Sequence, residues 1–108
     1  MYKINIRNAE TNELLFSTNA EVLYLGVRKS IESNTSYIMY DISFTILNDG
    51  VLSYLSTLEL ILKTNINLEI FKDNNKIFSN DTPLILDSVG SNLGNVMEEI
   101  HIVFRKEQ

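Results

Sequence analysis

The sequence predicts an α+β domain: a mainly antiparallel β-sheet, arranged as a sandwich or an open barrel, with one amphipathic helix packed on it. Three observations support this fold class. Several segments alternate apolar and polar residues, which is typical of strands with one buried face. One segment instead places its apolar residues at helical spacing. Short runs rich in Asn, Asp and Gly separate the segments, and such runs favour the turns that join antiparallel strands.

The first two elements are predicted to form a β-hairpin. Residues 2–8 (YKINIRN) alternate apolar and polar side chains. Residues 9–12 (AETN) supply turn formers, and residues 13–18 (ELLFST) have the composition of a returning strand.

Residues 20–31 fit either a strand or a helix. Thr18 and Glu21 have the spacing of a capping box, which favours a helix start. A helix would spread the apolar residues around most of its circumference, however, and Gly26 would weaken its interior. On a strand, four apolar residues share one face: Leu23, Leu25, Val27 and Ile31. The pattern favours a strand, with the helix as the alternative.

The most regular segment is residues 36–46 (SYIMYDISFTI), which predicts a strand with two different faces. One face carries an unbroken apolar row: Ile38, Tyr40, Ile42, Phe44 and Ile46. The other row begins with Tyr37 and Met39 and then turns polar at Asp41. Tyr and Met are ordinary sheet residues and are also enriched in protein interfaces. We therefore take Tyr37, Met39 and Asp41, with Tyr24 near the other end of the short connection, as interface candidates.

One helix is predicted, over residues 51–63 (VLSYLSTLELILK). Its apolar residues Val51, Leu55, Leu58 and Leu62 recur at helical spacing. Asn48 or Asp49 is the expected N-cap, because their side chains accept hydrogen bonds from the first helical N–H groups.

The rest of the chain predicts a second hairpin and a last strand. Residues 66–71 and 76–78 form the hairpin, and a short apolar run, 84–86, follows Pro83. Residues 87–95 are predicted to be a loop, and residues 96–104 alternate again. The expected core is Ile4, Ile6, Ile38, Ile42, Phe44, Leu55, Leu58, Leu62, Leu68, Ile70, Ile100 and Ile102.

Composition limits the classes of function. A chain of 108 residues is expected to form a single domain over residues 1–108. A net charge of −5, with nine scattered Lys and Arg residues, argues against nucleic-acid binding. Neither a membrane span nor an export signal is recognisable, and cysteine is absent, so a cytoplasmic protein is expected. The many Asn, Ile and Lys residues are typical of an AT-rich bacterium, its phages or its plasmids.

The sequence predicts no catalytic, metal or cofactor site. His101 is the only histidine, which excludes a two-histidine metal site, and its alternating context favours a solvated strand residue. No serine lies in a nucleophile elbow. The segment 90–95 (GSNLGN) matches neither a dinucleotide-binding nor a P-loop pattern.

These observations favour a non-enzymatic structural or protein-binding domain that self-associates or docks onto a protein partner. The composition fits an origin in a phage or mobile element of an AT-rich bacterium. Two alternatives stay open. One is a small enzyme or ligand-binding protein that uses a pocket between helix and sheet, with His101 and a carboxylate as acid and base. The other is an acidic inhibitor of a host protein.

Overall fold

A computed structural model describes residues 1–47, 50–93 and 97–108 of the chain. It contains eight strands and one helix in the following order along the chain: β1 (Tyr2–Asn8), β2 (Leu14–Ala20), β3 (Leu23–Glu32), β4 (Thr35–Leu47), α1 (Val51–Leu60), β5 (Asn65–Lys72), β6 (Asn75–Ser79), β7 (Leu84–Leu93) and β8 (Met97–Glu107). The predicted fold class is confirmed at the level of a mostly antiparallel sheet with one short helix.

All eight strands belong to one sheet of order β2-β1-β5-β7-β8-β4-β3, with β6 paired to β5 beside this path. Every pairing between the described strands is antiparallel. In the ambiguous segment 20–31, Ala20 ends β2 and residues 23–31 belong to β3, so the segment is extended, as its alternation favoured. Among the described residues no pairing joins β2 to β3, so the sheet is not a closed barrel.

The predicted loop at 87–95 is wrong over its first part, because β7 continues to Leu93. Its Asp, Ser, Gly and Asn residues resemble a loop, but pairing with β8 supplies partners for their backbone groups. The register shifts between Leu86 and Ser88, so Asp87 forms a β-bulge that accommodates the break in alternation. Residues 94 and 95 of the predicted loop lie outside the described residues.

Helix α1 ends at Leu60, three residues before the predicted end at Lys63. A turn follows, and Lys63 adopts a left-handed conformation with φ of 65°. The predicted capping residues Asn48 and Asp49 lie outside the described residues. Gly50 occupies the N-cap position and makes no side-chain capping hydrogen bond.

The core is one cluster of buried side chains that lie on one side of the sheet, together with Leu58 of α1. We call this side of the sheet the inner face and the opposite side the outer face. The fully buried large side chains include Phe44, Phe104, Ile4, Ile6, Ile42, Leu58, Ile66, Leu68, Ile70, Leu84, Leu86, Ile100 and Ile102. Leu55 and Leu62 of the predicted core are only partly buried and pack against it. Ile38 is half-buried and lies outside the core cluster, because the sheet extends beyond the core at that end of β4.

The sheet consists of two blocks of four strands that meet at a narrow seam. Along the seam, β5 and β7 pair at only two positions, Asn65 with Ile85 and Ile66 with Leu84. Lys63 reinforces the seam, since its N–H donates to the carbonyl of Leu86 at 2.8 Å. Its ammonium also donates to the carboxylate of Asp87 at 2.8 Å. One continuous core cluster includes side chains from both blocks.

The described part of the chain contains no helix that is long and apolar enough to cross a membrane.

Candidate protein-binding edge of the sheet

Strand β3 is an outermost strand of the sheet and is ten residues long. It pairs with β4 over its whole length without a register shift. Among residues 1–47, 50–93 and 97–108, no strand pairs with its other side. A long unpaired edge presents a row of backbone groups to which another strand can bind.

The turn after β3 determines which backbone groups face the free side. Ser33 and Asn34 form a two-residue turn, and both have positive φ (50° and 66°), as a type I′ turn requires. In such a turn the N–H of Thr35 donates to the carbonyl of Glu32. Because hydrogen-bonded and non-hydrogen-bonded pairs alternate along an antiparallel ladder, the even-numbered residues of β3 bond to β4. The backbone groups that point to the free edge belong to Leu23, Leu25, Val27, Lys29 and Ile31.

Apolar side chains are exposed along the same edge. Val27 is 62% exposed and Ile31 is 74% exposed, although both lie on the inner face. Leu23 and Leu25, on the same face, pack against the core instead. The inner face of β3 thus changes from a core surface to an exposed apolar surface along its length.

The outer face of β3 carries one of the predicted interface candidates. Tyr24 is 64% exposed, and its ring lies over Gly26. A Cβ atom at position 26 would come within 2.7 Å of the Tyr24 hydroxyl, so the absence of a side chain there makes room for the ring. Next to it, the Nε of Arg28 donates to a carboxylate oxygen of Asp41 at 2.9 Å. Tyr24 therefore lies on the edge strand itself, and Asp41 lies on the neighbouring strand β4.

The other two interface candidates, Tyr37 and Met39, lie on β4 like Asp41, one strand in from that edge. The guanidinium of Arg105 stacks on the ring of Tyr37, 4.9 Å from its centroid. Met39 lies in register between Arg28 on β3 and Arg105 on β8. It is only 6% exposed, although it does not belong to the inner core. A partner could reach Met39 only if neighbouring side chains moved.

His101 lies in a chain of polar groups on the outer face. Its Nδ1 is 2.8 Å from the hydroxyl of Ser43, and its Nε2 is 2.8 Å from a carboxylate oxygen of Glu99. The side-chain amide of Asn92 also lies 2.9 Å from Nε2. Cross-strand pairing explains two of these contacts, because Ser43 is opposite His101 and Asn92 is diagonal to it. Glu99 lies two residues before His101 on β8, so its side chain is on the same face of the sheet.

A hydroxyl that contacts an imidazole, which in turn contacts a carboxylate, resembles the arrangement of a nucleophile with its base. Acyl transfer also needs N–H donors aimed at the developing oxyanion. Hydrogen-bonded and non-hydrogen-bonded residue pairs alternate along each antiparallel strand pair. The backbone N–H of Ser43 therefore points to β3, and the backbone N–H of His101 points to β7. Neither amide is free for that role.

Two surface cavities lined by described residues lie elsewhere on the sheet. The larger, of about 460 Å³, is bounded mainly by Lys3, Asn5, Asn19 and Phe71. The smaller, of about 240 Å³, includes Arg7 and Glu69. Both lie on the outer face of β1 and β5, whereas the enzyme alternative expected a pocket between helix and sheet.

Carboxylates of the outer face are held in ion pairs distributed over the sheet. Glu69 accepts from Arg7 Nε at 3.0 Å and lies 3.0 Å from Lys76 Nζ. The hydrogen bond from Lys76 is the main cause that lowers the pKa of Glu69, and Arg7 adds to it. Asp87 lies between Lys63 and Arg105. Such pairs are typical of a solvated sheet face.

The sequence did not identify Val27 and Ile31 as surface residues, because their alternation with polar neighbours is the same as that of core residues. A weak signal was present in Lys29, which lies between them on the same face. A charged residue in the middle of an apolar row is one way in which edge strands differ from central ones.

Comparison with protein-family models, with curated proteins and with solved structures finds no match to this chain.

Proposed function

We propose that this chain is a non-enzymatic protein-binding domain that self-associates, and that the free edge of β3 is its contact surface. One observation carries the proposal: a ten-residue edge strand has outward backbone groups and exposed apolar side chains on the same segment. Strand addition to such an edge is a recurrent mode of protein recognition, in which main-chain hydrogen bonds supply affinity and side chains supply specificity.

The proposal includes a cytoplasmic location and an origin in a phage or mobile element of an AT-rich bacterium. Its support is compositional: the chain has no cysteine and is rich in Asn, Ile and Lys.

The substitution Val27→Lys tests the contact surface. Val27 is 62% exposed, so the fold is expected to tolerate lysine, whereas a charge at the centre of the edge disfavours strand pairing. Light scattering coupled to size-exclusion chromatography should show an oligomer for the unmodified chain and a monomer for Val27→Lys at the same concentration.

The matched control is Leu60→Lys, which makes the same kind of change on α1 at a residue that is 86% exposed. It should leave the oligomer intact. A monomeric unmodified chain at all accessible concentrations, or an oligomer that survives Val27→Lys, would contradict the proposal.

The enzyme alternative has one observation in its favour, the contacts from Ser43 through His101 to Glu99. A fluorophosphonate probe labels an activated serine. We expect no labelling of Ser43 above that of the exposed Ser88, in the unmodified chain or in His101→Ala. Stoichiometric labelling of Ser43 that His101→Ala abolishes would establish a nucleophilic site and overturn the non-enzymatic proposal.

A further inference from the structure

We infer that two copies of this chain pair through β3 as antiparallel strands about a two-fold axis, with Val27 of one copy opposite Val27 of the other. This inference rests on the proposed function, because it specifies the partner and the alignment at the same edge. The result is one continuous antiparallel sheet across two molecules.

Backbone geometry limits the alignments that two β3 strands can adopt. Only the odd-numbered residues direct their N–H and C=O groups to the free edge, so each must face an odd-numbered residue of the second copy. Two such alignments keep most of β3 paired. One is centred on Val27 and pairs residues 23–31, and the other is centred on Arg28 and pairs residues 24–32.

Charge selects the alignment centred on Val27. Centring on Arg28 places two guanidinium groups directly opposite each other, and like charges in that position are destabilising. Centring on Val27 places Arg28 opposite Gly26 of the second copy, which has no side chain. The ring of Tyr24 lies over that glycine, so Arg28 comes next to an aromatic ring that can accept a cation–π contact.

The carboxylate of Asp41 on β4 offsets the positive charge of Arg28 on the outer face of each copy. Asp41 pairs with Gly26 in its own sheet and accepts from its own Arg28 at 2.9 Å. In the dimer centred on Val27, the two Arg28 side chains are diagonal neighbours, and each already has its Asp41 partner. The junction therefore contains two arginines and two aspartates.

Side chains on the inner face are also complementary in this alignment. Val27 meets its own copy, and Ile31 meets Leu23, so the two most exposed inner-face apolar residues of β3 become covered. Lys29 meets Leu25, along which its aliphatic stem can lie while its ammonium stays in water. Lysine on an edge strand discourages pairing where it meets a like charge, and in this alignment it meets none.

Single-cysteine cross-linking tests the alignment, since the chain has no cysteine of its own. The variants are Val27→Cys, Arg28→Cys and Lys29→Cys, each oxidised and then analysed on a non-reducing gel. Opposite residues of a hydrogen-bonded pair have Cα atoms about 5.5 Å apart, within the range that a disulfide can bridge. Residues diagonal to each other are about 7–8 Å apart, and a disulfide cannot bridge more than about 7 Å without backbone movement.

We expect Val27→Cys to form a covalent dimer that reductant reverses, and Arg28→Cys and Lys29→Cys to stay largely uncross-linked. Circular dichroism of each variant verifies that it is folded.

If light scattering shows a dimer but Arg28→Cys or Lys29→Cys cross-links in place of Val27→Cys, the alignment is wrong while edge pairing stands. If a dimer persists and none of the three cross-links, the contact lies elsewhere and the inference is overturned. If every variant and the unmodified chain are monomeric, the proposed function itself fails.

Discussion

Glu69 is the residue whose environment most clearly determines its chemistry. It lies on the outer face of β5, where Arg7 and Lys76 approach its two carboxylate oxygens, each at 3.0 Å. Both cations favour the ionised form and hold the pKa of Glu69 below its ordinary value of 4.5, the hydrogen bond from Lys76 having the largest effect. A carboxylate with a lowered pKa stabilises the fold at pH values where it is ionised.

Substitution Glu69→Gln should therefore lower the free energy of unfolding at pH 7 by about 1 kcal/mol, the upper range for a solvent-accessible pair. Because the folded-state pKa is lowered, the contribution is present above about pH 4.5 and is lost as the pH falls through the folded pKa. Urea denaturation at pH 7 and at several values below 4.5 measures the difference between variant and unmodified chain.

The control for this experiment is Glu59→Gln, at an exposed position of α1. It should change stability little at any pH. A difference for Glu69→Gln that stays constant down to pH 3 would show that the charge of Glu69 is not the cause.

Among the elements, helix α1 packs on the core with one narrow face. Leu58 is fully buried, while Leu60, two residues later, is 86% exposed. Successive residues of a helix point in different directions, so the two leucines serve as an internal comparison at nearly equal helix propensity.

Replacement of Leu58 by alanine should cost about 2–5 kcal/mol, because it removes buried methyl groups and leaves a cavity. Replacement of Leu60 by alanine should stay within about 0.5 kcal/mol of the unmodified chain. Thermal or urea unfolding followed by circular dichroism compares the two. Equal losses would show that α1 does not pack on the sheet with the face described above.

Among the strands, β3 shows how one element can have different environments along its length. Its first inner-face residues, Leu23 and Leu25, pack on the core, and its later ones, Val27 and Ile31, are exposed. The alternation in the sequence correctly favours a strand over a helix here. It does not distinguish the two environments, because both produce the same apolar positions.

At the scale of the whole molecule, the chain forms two strand blocks that share one core. Their seam consists of two β5–β7 residue pairs and of the hydrogen bonds of Lys63 to β7. The open path of the sheet leaves β2 and β3 as its outermost strands, and a two-residue segment, 21–22, connects them. Among the described residues, this topology leaves the outer edge of β3 unpaired.

The sequence by itself determined the properties that depend on near neighbours: the alternating strands, the one helix, most of the core residues and the absence of recognisable catalytic motifs. Only the tertiary structure decided that β3 is an edge, that Met39 is covered on the outer face, and that Ser43 meets His101 across 58 positions of the chain. The physical reason is that periodicity is a local property of the chain. Strand order and exposure instead depend on which distant backbone groups pair and on which side chains share the core.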